Sequence, residues 1–488
     1  MKKLPLVIVI MFVVFAGCST GRNNEEPLHN IDSSAKIEAD EIEHTPPLEY
    51  IYTPAPEPIL PLEEPPVVYE PTESSIPLER AQHYINEINA IFDRDNGTLW
   101  GINLSGRPIM FADPLTRHAV ANLPDAQSNM VRLGNLYFGI IPEEVFIGNA
   151  LVEVWGTEWG MMLWSTVERL EEEQVLSILI HEVFHTWQST LFGSSVLQGD
   201  FSVDDASDAL TYIWLEANIL LYALAAKDQE IRRQAIHDAF SVRNERRRRV
   251  QHGRHDIIAE LVEGTAVYTE LMLIFHDSDA RLASLRERAS QINSRFGATY
   301  FFGAIFGILL DELGAEWRDG LRHPSADLGR LLQDAAGITT VTPFAELCFE
   351  QYGYSEIVAR IAFLEETYAR ITASAIDAFA YTRTLHVPDM GAMPFFSDLK
   401  GHSLLVPGLG TIFYGNIQLI NTAGQLTVNY GLLRWDGNHL FQINYVIPII
   451  DIEFDGKRAF GHNWELLLND DFIISEMPNG NFVVERIS

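Results

Sequence analysis

The sequence predicts an α+β fold followed by a small all-β domain, and three observations predict it. Short apolar runs of strand length fill residues 99–164. Helical periodicity then dominates from Ser165 to about Phe379, and β-rich runs broken by Gly and Asn-Gly turns return beyond Phe395. Strands followed by helices, with strands again behind them, read as an α+β unit and a separate β module. At 488 residues the chain is also too long for one compact core.

The elements follow in order. Lys2 and Lys3 precede an apolar stretch, Leu4 to Phe15, that is too short to span a bilayer and ends in Phe15-Ala16-Gly17-Cys18. This segment resembles the signal peptide and lipobox of bacterial lipoproteins. The resemblance implies cleavage before Cys18, lipidation of that residue, and attachment to the cell envelope facing outside the cytoplasm through a two-chain anchor. Residues 19–80 carry 14 acids against 3 bases and a dense series of prolines from Pro46 to Pro77. Like charges and missing backbone donors keep such a chain extended, so the expectation is a disordered stalk.

A first helix is expected from near Leu78, with Ala81, Tyr84, Ile85, Ile88, Ile91 and Phe92 on one face and a stop at Asn96-Gly97. Strands are expected at 108–111, 136–140, 145–147 and 152–155, with 152–164 forming an edge open to an extended peptide. The main domain is bounded at 81–390 and the β-rich domain at 391–488.

Composition excludes several functions. With 34 Lys+Arg against 67 Asp+Glu the formal net charge is −33, which repels nucleic acid and anionic lipid. Two cysteines, Cys18 and Cys348, exclude a disulfide framework and a cysteine-rich zinc site. Cys348 is expected to be a small buried residue.

One segment concentrates the chemistry: Ile180-His181-Glu182-Val183-Phe184-His185, an HExxH pattern in a helical stretch expected to begin after Ser165-Thr166. Spacing of four puts both imidazoles on one helix face, where they can share an ion, and Glu182 stands beside the first of them as a proton acceptor for water. Apolar flanks at Leu176, Ile178, Leu179, Ile180 and Leu191 bury this helix, so its polar groups need a partner, and Zn²⁺ is the simplest. The third ligand is sought in the helical segment that follows Asp256, where Glu260, Glu263 and Glu270 are the candidates.

Taken together, His-Glu-Val-Phe-His-Thr-Trp and the downstream Val-Glu-Gly-Thr-Ala-Val-Tyr resemble the gluzincin metallopeptidases, in particular the aminopeptidase-N-like group with its zincin-like fold. The resemblance implies Glu263 as third ligand, with Gly264 letting the two helices pack closely, and Glu260 or Glu270 as the alternative ligand or as support for a ligand histidine. Thr299-Tyr300-Phe301-Phe302-Gly303-Ala304 is similar to the segment whose tyrosine stabilises the oxyanion in that group. This implies a catalytic role for Tyr300, although Phe302 replaces the usual lysine. The Gly-x-Met-Glu-Asn strand that binds a substrate amine is missing, so the resemblance does not extend to exopeptidase specificity.

Glu263 comes 78 positions after His185, a wider separation than the group has. The residues between them are expected to form a helical hairpin, about 206–226 and 228–251, whose Arg246-Arg247-Arg248-Arg249 run reads as a solvated face. The expected activity is zinc-dependent hydrolysis of a peptide or protein substrate. The alternatives are a lipid-anchored binding protein on a silent scaffold and a metal-dependent hydrolase of a non-peptide bond.

Overall fold

The computed structural model describes residues 74–192, 209–249, 253–292, 294–323, 325–388, 395–396, 402–406, 408–435 and 444–487. Cys18, the leader and most of the acidic stalk lie outside them. Among the described residues no helix is long and apolar enough to cross a membrane.

Helix α1 (Leu78–Asp95) buries Ala81, Tyr84, Ile85, Ile88, Ile91 and Phe92, the face its periodicity marks. It ends at Asn96, which adopts a left-handed conformation and returns its N–H to Phe92 O. Six strands follow: β1 (Ile109–Ala112), β2 (His118–Ala121), β3 (Val131–Leu133), β4 (Leu136–Ile140), β5 (Ala150–Val154) and β6 (Thr157–Leu163). They form one sheet in the order β3-β4-β2-β1-β6-β5, antiparallel except for β1 beside β6.

Two expectations about this sheet need correction. Segment 145–147 is not a strand. The buried Arg117 guanidinium donates to the carbonyl of Val145, and to those of Ile141 and Pro142 just before the segment, so a side chain takes an acceptor that a ladder would have used. The edge, moreover, is β5 alone, because β6 is paired on both sides.

The helical part comprises α2 (Trp164–Val167), α3 (Glu172–Phe192), α4 (Leu210–Ala225), α5 (Gln229–Arg249), α6 (Gly253–Ile274), α7 (Ser278–Gln291), α8 (Arg295–Glu312), α9 (Leu328–Ala335) and α10 (Tyr354–Tyr381). Ser165 and Thr166 belong to the single turn α2 and do not cap α3. There Gln174 reaches back to the N–H of Glu171, half of a capping box. The expected hairpin is present as α4 packed on α5.

Glycine sets the closest approach in the domain, between α6 and α8. A Cβ on Gly264 would lie 2.3 Å from Gly303 Cα, and one on Gly303 would lie 2.1 Å from Glu260 O. Gly264 therefore brings α6 against α8, not against α3. A third glycine, Gly160 of β6, does that work for α3: a Cβ there would lie 2.8 Å from the backbone of Glu182 and Val183.

The chain closes in an all-β sheet that curls as a half-barrel. Strand β7 (Arg383–Pro388) already belongs to it, pairing with Asn444–Ile449 and Phe482–Arg486, so the β part starts some eight residues before 391. Its long hairpin, Gly410–Asn421 with Gly424–Trp435, is interrupted by a bulge near Gly415. Ala375 and Phe379 of α10 pack against Val406 and Ile412, and Arg486 pairs with Glu143 beside the first sheet. Cys348, expected to be buried, is exposed.

Candidate metal centre

The HExxH segment occupies the middle of α3, where Leu179, Ile180, Val183 and Phe184 are fully buried. This helix is apolar nearly all round, which buries its polar residues too: His181, Glu182 and His185 are each at most 7% exposed. Their rings lie 4.7 Å apart and nearly perpendicular, the disposition expected of residues four apart on a helix.

Helix α6 brings Glu263 to them. Its Oε2 lies 3.2 Å from His181 Nε2 and 3.5 Å from His185 Nε2. One ligand atom from each of His181, His185 and Glu263 falls within 4.8 Å of the others, and among the described residues this is the grouping that could hold a metal ion. Two atoms in the cluster are buried without a hydrogen-bond partner, Glu263 Oε1 and Glu182 Oε2. Two imidazole nitrogens, one carboxylate and spare buried carboxylate oxygens are a donor set that suits zinc.

Electrostatics follow from this crowding. Burial pushes the Glu182 carboxyl up to about 7, only partly offset by the two histidines. For His185, burial alone lowers the pKa, but the Glu263 carboxylate outweighs it and holds the ring up to about 9. Burial raises Glu263 in the same way, yet the charge of His185 and hydrogen bonds from both rings hold it well below the usual carboxylate range.

Tyr300 of α8 joins the cluster, its ring stacked on His181 at 5.8 Å and 12°. Its hydroxyl is buried, and burial and the charges of Glu263 and Glu182 push its pKa well above that of an ordinary phenol. The hydroxyl makes no hydrogen bond of normal geometry, and the Glu263 carboxylate is the acceptor close to it. A phenol held protonated and so loosely bonded is available to a ligand.

The three candidate carboxylates on α6 therefore part company. Glu260, one turn before Glu263, is in contact with Arg243 and belongs to a different cluster. There Arg243 also donates to Glu216 at 2.9 Å, Arg246 bridges Glu216 and Asp256 at about 3.0 Å each, and Arg295 pairs with Asp256 at 2.7 Å. Glu270 accepts from Arg288 and from Ser177 Oγ at 3.1 Å, and its Oε2 stands 3.9 Å from His181 Nδ1, in position to support that ring.

The arginine run is split. Arg246 is 2% exposed and paired inside the protein, whereas Arg248 and Arg249 form exposed pairs with Glu245. The expectation of a single solvated face is corrected: residues three apart on a helix overlap in direction, and Arg243 and Arg246 both point inward.

Sequence reasoning missed Gln188. Fully buried on α3, it meets His185 Nδ1 at 2.7 Å and Thr265 Oγ1 at 3.0 Å. Its spacing of three from His185 was the available signal. Arg288, the partner of Glu270, left none.

The chain matches no known protein-family model, no curated protein and no solved structure.

Proposed function

We propose that the protein is a zinc-dependent hydrolase of peptide bonds, with His181, His185 and Glu263 holding the metal and Glu182 as general base. The observation that carries this reading is the convergence of three ligand atoms beside a buried carboxylate oxygen, Glu182 Oε2, that has no other partner. Zinc in such a site supplies a Lewis acid that acidifies water and polarises a carbonyl oxygen.

The chain's own groups do the rest. Glu182 accepts the proton of the attacking water at Oε2 and delivers it to the departing amine. Its pKa near 7, raised by burial, suits both directions of transfer. Tyr300 donates its hydroxyl proton in a hydrogen bond to the oxygen on which negative charge develops. Closely packed α6 and α8 hold Glu263 and Tyr300 at a fixed separation, so neither group has to be reorganised as charge builds. The peptide as substrate rests on the gluzincin resemblance of the two helices. Tethering at the cell envelope through Cys18 rests on the leader sequence, which lies outside the described residues.

The test is a pair of measurements on wild type and Glu182→Gln: zinc per chain by mass spectrometry, and cleavage of a diverse peptide library. About one zinc in both proteins, with cleavage by the wild type alone, is the expected result. Equal cleavage by both would remove Glu182 from the mechanism, and zinc-loaded wild type that cleaves nothing would remove the peptidase reading.

A further inference from the structure

A histidine on a helix can present either ring nitrogen to a neighbour, and its tautomer is set by whatever holds the other nitrogen. For His185 that partner is Gln188, and the hydrogen bonds behind Gln188 have a direction that can be followed from their far end. Leu261 O is a backbone carbonyl and can only accept, so the Thr265 hydroxyl, 2.6 Å away, donates to it. The lone pairs of that hydroxyl are thereby left for Gln188 Nε2, at 3.0 Å. Val262 O, a second obligate acceptor, takes the other amide proton at 2.5 Å.

With both Nε2 protons committed, the amide has one orientation. Flipping it would set Oε1 against the Val262 carbonyl, two acceptors in contact inside a dry core, at the cost of an unsatisfied pair. Oε1 therefore faces His185 Nδ1 at 2.7 Å, and a carbonyl oxygen cannot donate. Nδ1 must carry a proton.

We infer that Gln188 is a positioning residue that holds the His185 proton on Nδ1 and so reserves Nε2, the nitrogen facing Glu263, for a metal ion. The first half of this inference stands on the hydrogen bonds alone, and only the second rests on the zinc reading proposed above. The same amide ties α3 to α6 at Val262, the residue before Glu263, so one side chain governs the direction of one ligand and the position of the helix carrying another.

The experiment uses the full chain labelled with ¹⁵N-histidine, with His185→Asn to assign the resonance, and zinc affinities measured by competition with a chromophoric chelator. In metal-free wild type, at a pH where the ring is neutral, His185 Nδ1 is expected to show the shift of a protonated ring nitrogen and Nε2 that of an unprotonated one. Gln188→Leu should weaken zinc binding about 10- to 100-fold, the usual effect of removing a partner that orients a ligand. Gln188→Glu, which keeps an acceptor for the Nδ1 proton but sets its second oxygen against the Val262 carbonyl, should recover part of that loss.

An unprotonated Nδ1 in the wild type overturns the inference, and so does a folded Gln188→Leu protein with wild-type zinc affinity. Should Gln188→Leu fail to fold, the wild-type ¹⁵N spectrum decides alone. Wild type that takes up no zinc while Nδ1 is protonated sinks the metal reading and leaves the Gln188 assignment intact.

Discussion

Glu260 and Glu263 lie one turn apart on α6 and are equally buried, at 1% exposure, yet the structure gives them opposite consequences when neutralised. Consider Glu260→Gln. The cluster around it contains four guanidinium groups, Arg243, Arg246, Arg247 and Arg295, against four carboxylates, Glu216, Asp256, Glu260 and Asp327. Removing one negative charge leaves a buried surplus of one positive charge, with Arg243 hydrogen-bonded to Glu216 alone. Breaking a buried pair from one side costs about 3–5 kcal/mol, and the retained amide oxygen favours the low end, about 3 kcal/mol. At the 2–4 °C per kcal/mol of a domain this size, melting should fall by about 6–12 °C. Zinc affinity should stay within about threefold, because Glu260 contacts neither histidine. Glu263→Gln should do the reverse and weaken zinc by more than the roughly 100-fold that loss of a mere supporting partner reaches. The assays are a thermal melt of the metal-free protein and equilibrium dialysis against zinc, for both variants. A Glu260→Gln protein that melts with the wild type but loses zinc would refute the division of labour outright.

Other perturbations test neighbouring steps. Tyr300→Phe should retain zinc and lose about 10²–10³ in turnover on a cleaved peptide, the effect of removing one oxyanion donor; unchanged kcat would make Tyr300 packing only. Gly303→Ala forces a methyl group to within 2.1 Å of Glu260 O, against the backbone of α6, and should cost at least about 1–3 kcal/mol in urea unfolding, with zinc weakened in parallel. For pH, the folded-state pKa of His185 is raised to about 9, so its contribution is fully present below the unfolded value near 6.5 and lost as pH rises through 9. Melting temperatures of the metal-free protein should thus fall between pH 6.5 and 9. Glu182, also raised, adds a loss between its ordinary value and about 7. Zinc affinity should instead climb over the same range, since the ligand nitrogen must shed its proton; affinity falling with pH would contradict the ligand assignment.

How much of this was legible in the sequence depended on how local the cause was. Helix α1 and the turn at Asn96 were readable because a single face and a single left-handed residue define them. The pairing of His181 with His185 was readable because four residues is one helical turn. Segment 145–147 was misread because a short run of β-branched and aromatic residues suits a strand, whereas its first carbonyl, that of Val145, is claimed by Arg117, some thirty residues earlier. Cys348 was misplaced for the same kind of reason, since residue type says little about one position in a loop. Gln188 lay in plain view three residues beyond His185, but an amide shows its orientation only through acceptors on another helix.

The acids of α6 show why residue type and helix face were not enough, and what the inserted hairpin contributes. Helix α6 carries four acidic residues, and three of them are met by arginine: Asp256 by Arg246 and Arg295, Glu260 by Arg243, Glu270 by Arg288. Two of those arginines, Arg243 and Arg246, come from α5, within the long stretch that separates His185 from Glu263. A carboxylate locked to a buried guanidinium would have to abandon that pair, at several kcal/mol, before it could ligate a metal. Glu263 has no such tie. Its Oε2 faces two imidazole nitrogens and its Oε1 makes no hydrogen bond of normal geometry. With Asp256 and Glu260 met by arginines of the hairpin and Glu270 by Arg288 of α7, Glu263 is, among the described residues, the one acid on α6 with no arginine partner, and it is the one that lies between the two histidines.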